Sequence, residues 1–200
     1  MSAIKKPKVY TVDAYLAREA RAEVRHEYVA GQVYAMAGGT RRHNRIVMNL
    51  GSRLHAAAQG GPCEVYQSDM KVRAPGVGGD RILFYYPDVV VACEPEAETD
   101  ELYLSDPCLI VEVLSRSTET TDRREKWLAY GAMPSLRWYI LAHSERPEVT
   151  YFARNRTGEW ETARLEGAEP LEIDCPGLRL RLGLDAIYDG VRWGEDAASE

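Results

Sequence analysis

The amino-acid sequence predicts an α/β protein in which helices flank one central sheet that mixes parallel and antiparallel strands. Two apolar runs, 109–114 and 136–142, are separated by a helical segment. A strand–helix–strand unit of about 30 residues is a crossover that joins parallel strands. Short alternating segments before and after this unit are typical of antiparallel strands. The crossover and its antiparallel neighbours together predict the mixed sheet.

The N-terminal part of the chain predicts a helix, a hairpin and a second helix. Thr11 can cap a helix that ends near Arg21. Residues 27–36 form two alternating segments around a glycine, which predicts a β-hairpin. Thr40 can cap a helix that extends to about Ala58. Its buried face is predicted from apolar residues at helical spacing, which are Ile46, Val47, Leu50 and Leu54.

The remaining elements are mostly strands. Residues 63–72 alternate well enough for one strand, and the glycine loop 75–79 turns the chain toward a second strand within 81–93. A helix is predicted to begin after Thr120 or Thr121 and to end near Gly131. The last predicted elements are antiparallel strands at 148–154, 160–165 and 171–173 and a short helix at 183–188. We expect one domain, 1–193, followed by a polar tail, 194–200.

Composition excludes several classes of protein. Apolar residues make up 45% and charged residues 28% of the 200 residues, as in ordinary globular proteins. The sequence contains no run of about 18 apolar residues, the length that could span a bilayer, and its first residues lack the apolar segment of a signal peptide. The expected location is the cytoplasm. The net charge of −6 argues against bulk electrostatic coating of nucleic acid, although the arginines in 41–45 leave room for a local basic groove.

The four cysteines are widely scattered along the chain. They form no CxxC pair and have no nearby histidines that would complete a tetrahedral zinc site. We therefore expect buried, reduced thiols.

Two carboxylates at apolar strands carry the main functional hypothesis. Glu112 is the single charged residue in the run Leu109–Leu114, and Asp88 stands at the start of the apolar run 89–93. A buried carboxylate costs several kcal/mol, about 3–5 when its partner is missing, so a cation or strong donors must compensate it. A divalent ion that prefers oxygen ligands can be shared by two such groups. The sequence therefore predicts a Mg²⁺ site, in which Mn²⁺ can substitute.

The order of these motifs, Pro87-Asp88 and then Glu112-Val113-Leu114, resembles the PD-(D/E)XK nuclease superfamily. More closely, roughly residues 10–155 resemble the Uma-two family of restriction-endonuclease-type proteins. The residues that carry this likeness are Pro87–Val91, Leu109–Thr118, Asp122, Lys126, Tyr130–Gly131 and Trp138–Tyr139, preceded by Glu27–Tyr28, Gly31, Met36 and His43. The resemblance implies a restriction-endonuclease-like core and hydrolysis of phosphodiester bonds in DNA.

The resemblance also implies roles for single residues. Asp88 and Glu112 are expected to be catalytic and to hold the metal with the carbonyl of Val113, and Glu27 to supply a further carboxylate. Leu114 stands where the superfamily places a lysine, and Lys126 on the following helix can replace that lysine. Asp122, Lys126 and Tyr130 fall at i, i+4 and i+8, on one helical face. The candidate substrate-binding residues are Ser115, Ser117, His43 and Arg45.

Three functional classes remain open from the sequence. The first is a metal-dependent DNA nuclease, for which cutting both strands of a duplex favours a two-fold homodimer. The second is a catalytically silent protein of the same fold that binds nucleic acid or a protein partner, because Leu114 replaces the motif lysine. The third is an interaction module in which the acids and Lys126 form a buried ion-pair network. Binding of Mg²⁺ or Mn²⁺ and cleavage of DNA distinguish the three classes.

Overall fold

The computed structural model describes residues 8–76, 78–79, 81–93, 101–115 and 118–193. Its helices are α1 (Val12–Glu19), α2 (Arg41–Ala58), a π-helical segment (Thr121–Lys126) that continues into α3 (Trp127–Tyr130), and α4 (Leu184–Ile187). The strands of the first half are β1 (His26–Val29), β2 (Gln32–Ala35), β3 (Glu64–Gln67), β4 (Lys71–Pro75), β5 (Ile82–Tyr85), β6 (Val89–Ala92) and β7 (Tyr103–Leu104). The strands of the second half are β8 (Pro107–Leu114), β9 (Trp138–His143), β10 (Val149–Arg154), β11 (Trp160–Leu165), β12 (Leu171–Cys175) and β13 (Leu178–Leu182).

Local sequence signals fix the N-terminal elements as predicted. The Thr11 hydroxyl accepts a hydrogen bond from the backbone N–H of Ala14, and the Thr40 hydroxyl accepts one from that of His43. These bonds satisfy N–H groups that have no partner inside the first turn of a helix. In the hairpin, Ala30 and Gly31 both have positive φ, which the tight turn between β1 and β2 requires.

A six-stranded sheet forms the centre of the molecule, with the order β11-β10-β9-β8-β6-β3. Strands β8 and β9 are parallel, which confirms the predicted crossover, and the other pairs of this sheet are antiparallel. β8 lies in its middle, and all eight residues of β8 are buried. Glu112 is therefore held in a strand that is covered on both faces.

A second, five-stranded sheet has the order β2-β1-β5-β4-β7. The predicted fold class is confirmed, but the single predicted sheet is divided into two, with a separate β12–β13 pair. The strand predicted over 63–72 is β3 and β4 in different sheets, and the segment 81–93 likewise holds β5 and β6. Ser68, with φ of 52°, breaks the first strand, and its N–H donates to the carbonyl of Asp88 at 3.2 Å. The two points where the chain crosses between the sheets are thus bonded to each other.

The core lies on both faces of the six-stranded sheet. On one face, the apolar side of α2 packs with β12, β13 and the odd-numbered residues of β8. On the other face, the five-stranded sheet and α3 pack against the even-numbered residues Ile110 and Leu114. Glu112 has the same parity and so points into the space between the two sheets and the π-helical segment.

The cysteines differ from the expectation of reduced thiols, which was wrong. Cys63 is bonded to Cys93, and Cys108 to Cys175. Cys63 and Cys93 flank the antiparallel pair Glu64↔Ala92, so the β3–β6 register brings them together. The scattered positions in the sequence hide this proximity because it depends on strand pairing.

None of the helices among the described residues is long and apolar enough to cross a membrane. The predicted polar tail, 194–200, lies outside the described residues, as does the acidic loop 94–100.

Candidate active site

Glu112 receives hydrogen bonds from two side chains of the neighbouring helix. It is 3% exposed. Its Oε1 lies 3.0 Å from Lys126 Nζ and 3.3 Å from the hydroxyl of Tyr130, and both groups donate to it. The sequence requires a compensating partner for Glu112, and the structure places the ammonium of Lys126 in that position.

Lys126 is the centre of a cluster of carboxylates from three elements. Its Nζ lies 3.0 Å from Glu27 on β1, 3.0 Å from Glu112 on β8 and 3.2 Å from Asp122 in its own helical segment. The predicted shared face of Asp122, Lys126 and Tyr130 does point toward Glu112. The Tyr85 ring covers the cluster, with its centroid 5.5 Å from Nζ.

Asp88 lies at the entry of β6, next to β8. The register pairs Val89 with Val111, so Asp88 stands one position before that pair and faces the end of β8. Its Oδ2 accepts a hydrogen bond from the N–H of Val113 at 2.7 Å and lies 3.3 Å from His43 Nε2. Asp88 and Glu112 therefore enter the site from neighbouring strands, as the sequence predicts.

The charges of the site do not balance. Four carboxylates, Glu27, Asp88, Glu112 and Asp122, meet the ammonium of Lys126 and the imidazole of His43. Burial, together with the other carboxylates, raises the pKa of Glu112 well above its usual value, although Lys126 lowers it. An additional cation would relieve this excess of negative charge.

The pKa values of the two basic groups, Lys126 and His43, are raised as well. Burial lowers the pKa of Lys126, but Glu112, Glu27 and Asp122 outweigh burial, so that its pKa lies well above the usual value. Burial also lowers the pKa of His43, and the hydrogen bond and charge of Asp88 raise it by more. Lys126 is therefore a charged hydrogen-bond donor rather than a proton acceptor.

The donor set fits an oxygen-loving cation. Carboxylate and carbonyl oxygens are the ligands that Mg²⁺ and Mn²⁺ prefer. Asp122 Oδ1 is buried and accepts no hydrogen bond, although Lys126 Nζ is within ion-pair distance. Among the described residues, no three carboxylates bring oxygens within 4.8 Å of one another, whereas Cys93, Cys108 and Cys175 bring their sulfurs that close. Three of the four carboxylates are thus arranged around Lys126 Nζ rather than around a closed three-carboxylate site.

The remaining predicted residues are distributed around this centre. Leu114 is fully buried in the apolar cluster between the sheets, so an apolar side chain occupies the motif position of the lysine. The Ser115 hydroxyl lies 3.1 Å from the Thr118 hydroxyl, in the loop after β8. Arg45 is exposed on α2, one helical turn after Arg41 in the sequence. Ser117 lies outside the described residues.

Sequence reasoning missed a second buried carboxylate network beside the site. Glu19 Oε1 accepts from the N–H of His26 at 2.7 Å and from the Tyr86 hydroxyl at 3.0 Å. The N–H of Tyr86 in turn donates to Glu27 Oε1 at 3.4 Å, which connects this network to the cluster around Lys126. Glu19 is the last residue of α1 and has Arg18 and Arg21 near it in the sequence, so no apolar pattern marks it as buried.

Known proteins provide independent evidence on the fold and the family. A family model, Uma2, which is described as "Putative restriction endonuclease", matches residues 12–185. One uncharacterized protein of Synechocystis sp. is 35% identical over 179 residues, which cover 90% of this chain and 91% of that protein. A second from the same organism is 30% identical over 182 residues, which cover 90% of this chain and all of that protein.

The fold is also similar to a solved structure. A crystal structure of "a putative nuclease belonging to DUF820" from Anabaena variabilis aligns with a TM-score of 0.65 at 16% identity. The alignment covers 89% of this chain and 97% of that one. At this identity the likeness supports the fold, a mixed sheet architecture with few helices, which agrees with the predicted fold class.

Proposed function

Because the chain belongs to the Uma2 family, whose description is "Putative restriction endonuclease", we propose that it is a metal-dependent nuclease that hydrolyses phosphodiester bonds in DNA. One observation carries this proposal. A buried glutamate lies beside a lysine that stays charged, and an aspartate that contacts a histidine enters from the neighbouring strand, in a site with more carboxylates than cations. Such a site suits a divalent cation and the phosphate of a polyanionic substrate.

Asp88, Glu112 and the carbonyl of Val113 would hold the cation, with Glu27 as a further carboxylate ligand. Mg²⁺ or Mn²⁺, when bound, supplies a Lewis acid that polarises the phosphate and lowers the pKa of bound water. The N–H of Val113 fixes the orientation of the Asp88 carboxylate through its 2.7 Å hydrogen bond. The burial of Glu112 in β8 fixes the second carboxylate, so both groups are oriented before substrate binds.

Lys126 is the electrostatic component of the proposed mechanism. Its raised pKa keeps it an ammonium, which can donate to a phosphate oxygen and offset the charge of the transition state. It can also orient the attacking water by donating to the water oxygen. His43 contacts Asp88 from α2; burial lowers the pKa of His43 and Asp88 raises it by more, which favours the protonated imidazole beside the site. Ser115 supplies a hydroxyl in the loop that leaves β8.

One observation favours a second candidate function. Lys126 already contacts three carboxylates, and Leu114 fills the motif position of the lysine with an apolar group. A site whose lysine is engaged by carboxylates in this way would describe a protein of nuclease fold that binds nucleic acid without cutting it. Metal binding and cleavage distinguish the two functions.

Metal binding is tested by thermal unfolding in Mg²⁺ and Mn²⁺. We expect the wild-type Tm to rise with metal concentration, by mass action corresponding to about 2.7 kcal/mol at one hundred times the Kd. Glu112→Gln should abolish this shift, whereas the matched control Glu166→Gln, on the exposed loop after β11, should retain it. A wild-type Tm that is insensitive to both metals would contradict the metal site.

Catalysis is tested with supercoiled plasmid and single-stranded DNA in Mn²⁺. We expect nicking or linearisation by the wild type and none by Asp88→Asn or Glu112→Gln under conditions where both variants are folded. Cleavage that survives both substitutions would refute the assignment of the site. Sedimentation of the wild type with and without duplex tests the expected homodimer, for which a monomer in both states would be the opposing result.

A further inference from the structure

A groove lined by arginines lies between the first half of α2 and the segment after α4. We call it the arginine groove, and its volume is about 960 Å³. Its lining residues include four arginines and no carboxylate among the described residues, namely Arg41, Arg42, Asn44, Arg45, Met48, Gly190, Val191 and Arg192. In a chain of net charge −6, a groove of this composition is a local concentration of positive charge.

The arginines are available to a ligand. None of the four is within ion-pair distance of a carboxylate of the described residues. Met48 is 55% exposed and gives the groove an apolar patch next to the guanidinium groups. The combination of planar cations with an apolar surface suits phosphates joined by sugars, because guanidinium groups bind phosphate oxygens in bidentate pairs.

Both walls of the groove are fixed to each other. The Asn49 amide donates to the carbonyls of Ile187 and Asp189, both at 2.9 Å. Arg53 Nε donates to the carbonyl of Ala186 at 3.2 Å. These bonds join α2 to the segment that carries Arg192, so the arginines are presented by a packed unit.

The groove shares the first turns of α2 with the candidate active site but lies on another face of that helix. His43 lies between Arg42 and Asn44, and its Nε2 is 3.3 Å from Asp88 Oδ2. Side chains two residues apart are about 160° apart around a helix of 3.6 residues per turn, so Arg41 and Arg45 face away from His43.

We propose that the arginine groove binds the sugar–phosphate backbone of a nucleic acid strand along the outer face of α2. The choice of a nucleic acid rests on the proposed function, whereas binding of a polyanion requires the groove alone. The arginines act as positioning residues, because phosphate contacts fix the register of a strand without reading its bases. An acidic peptide would meet the same charge, but the substrate of a nuclease carries phosphates, so the proposed function favours the phosphodiester backbone.

The test measures binding in EDTA, where cleavage does not contribute. Fluorescence anisotropy with a short labelled duplex and the corresponding single strand compares the wild type with the triple variant Arg42→Gln/Arg45→Gln/Arg192→Gln. The matched control, Arg21→Gln/Arg137→Gln/Arg156→Gln, removes the same charge from exposed positions elsewhere on the fold. We expect the groove variant to bind at least about 10-fold more weakly, with a salt slope of log K reduced by about 3, and the control to bind like the wild type.

Three results would overturn the groove assignment. The first is a wild type that binds neither DNA, and the second is an equal loss in the groove variant and the control. The third is a preference for polyglutamate over DNA at equal charge, which would assign the groove to an acidic protein. Binding that follows the expected pattern without any cleavage in Mn²⁺ would refute only the proposed nuclease activity, so failure of one proposal is separable from failure of the other.

Discussion

Replacing Lys126 by methionine tests whether one ammonium holds the carboxylates of the site together. Methionine keeps most of the length of the side chain and removes its charge. In the wild type, Nζ lies 3.0–3.2 Å from Glu27, Glu112 and Asp122, and the Lys126 side chain is 7% exposed. The variant leaves these carboxylates close together without a cation among them. We therefore expect a large loss of stability that depends on pH.

The size of the expected stability loss follows from the burial of the ion pairs between Lys126 and its carboxylates. Removing one partner of a buried ion pair costs about 3–5 kcal/mol, because the remaining charge stays desolvated and unpaired. Glu112 can reduce this cost by binding a proton, because burial raises its pKa and the variant lacks the Lys126 charge that lowers it. The folded pKa of Glu112 then lies above the unfolded one, so the folded state binds more protons and stability falls as pH rises. We expect a deficit of about 3–5 kcal/mol near pH 8 that becomes smaller as pH falls toward 5.

Urea unfolding of four proteins measures the coupling: the wild type, Lys126→Met, Glu27→Gln and the double variant. Glu27→Gln removes an ion-pair partner in the wild type but relieves repulsion in the methionine background. We expect it to be destabilising in the first background and neutral or stabilising in the second, with an interaction energy of about 1–3 kcal/mol. Arg124→Met, on an exposed position of the same helical segment, is the control for loss of a cation.

Two results would refute this reasoning. A Lys126→Met variant within about 1 kcal/mol of the wild type at pH 8 would mean that the carboxylates are already neutral or hydrated. An equal cost of Glu27→Gln in both backgrounds would mean that Glu27 and Lys126 act independently.

Three further predictions concern the scaffold. The Arg154 guanidinium donates to four main-chain carbonyls at 2.8–3.1 Å, and Arg154→Lys should lower stability by about 3 kcal/mol in urea unfolding because an ammonium cannot reach them all. A Cβ at Gly51 in α2 would lie 1.7 Å from the amide nitrogen of the flexible Gln67 side chain, so Gly51→Ala should displace that amide from the Val47 carbonyl. The lost bond and the gain in helix propensity are each about 1 kcal/mol and opposite in sign, so the unfolding free energy in urea should change by less than about 1 kcal/mol, as for Gly38→Ala at an open position. Burial and then Arg146 lower the pKa of His143 from 6.5, so its contribution to stability is present above pH 6.5 and is lost as pH falls through the folded value. His143→Gln should therefore flatten the rise of unfolding free energy with pH below 6.5, and an unchanged slope would contradict this origin.

The parts of the fold that the sequence predicts depend on interactions close together in the chain. Thr11 and Thr40 cap helices because the hydroxyl and its N–H partner are three residues apart. The β8–β9 pair is predictable because a crossover helix constrains both its direction and its position. The cysteine pairs are not predictable in this way, because Cys63–Cys93 depends on the β3–β6 register and Cys108–Cys175 joins strands of two different sheets.

The division of the sheet shows what alternation in a sequence cannot determine. Residues 63–72 alternate well enough to predict one strand, although Gln67, Ser68 and Asp69 are three polar residues in a row. Ser68 adopts a left-handed conformation, and the chain leaves one sheet for the other there. Serine is not a residue that marks such a break, since positive φ is usual for glycine and asparagine. The break is stabilised by the bond from Ser68 N–H to the Asp88 carbonyl, a contact between segments that only the folded chain brings together.

The candidate active site could likewise be predicted only in part, for an electrostatic reason. A buried Glu112 requires a cation, and that requirement follows from the sequence alone. The requirement does not specify the element that supplies the cation, because Coulomb energy depends on distance and burial and not on the separation of residues in the chain. Leu114 excludes the same strand, and the helix supplies Lys126 instead. Since one ammonium faces Glu27, Asp122 and Glu112 together, its presence compensates Glu112 only in part, which is the physical basis for expecting a second, divalent cation at Asp88.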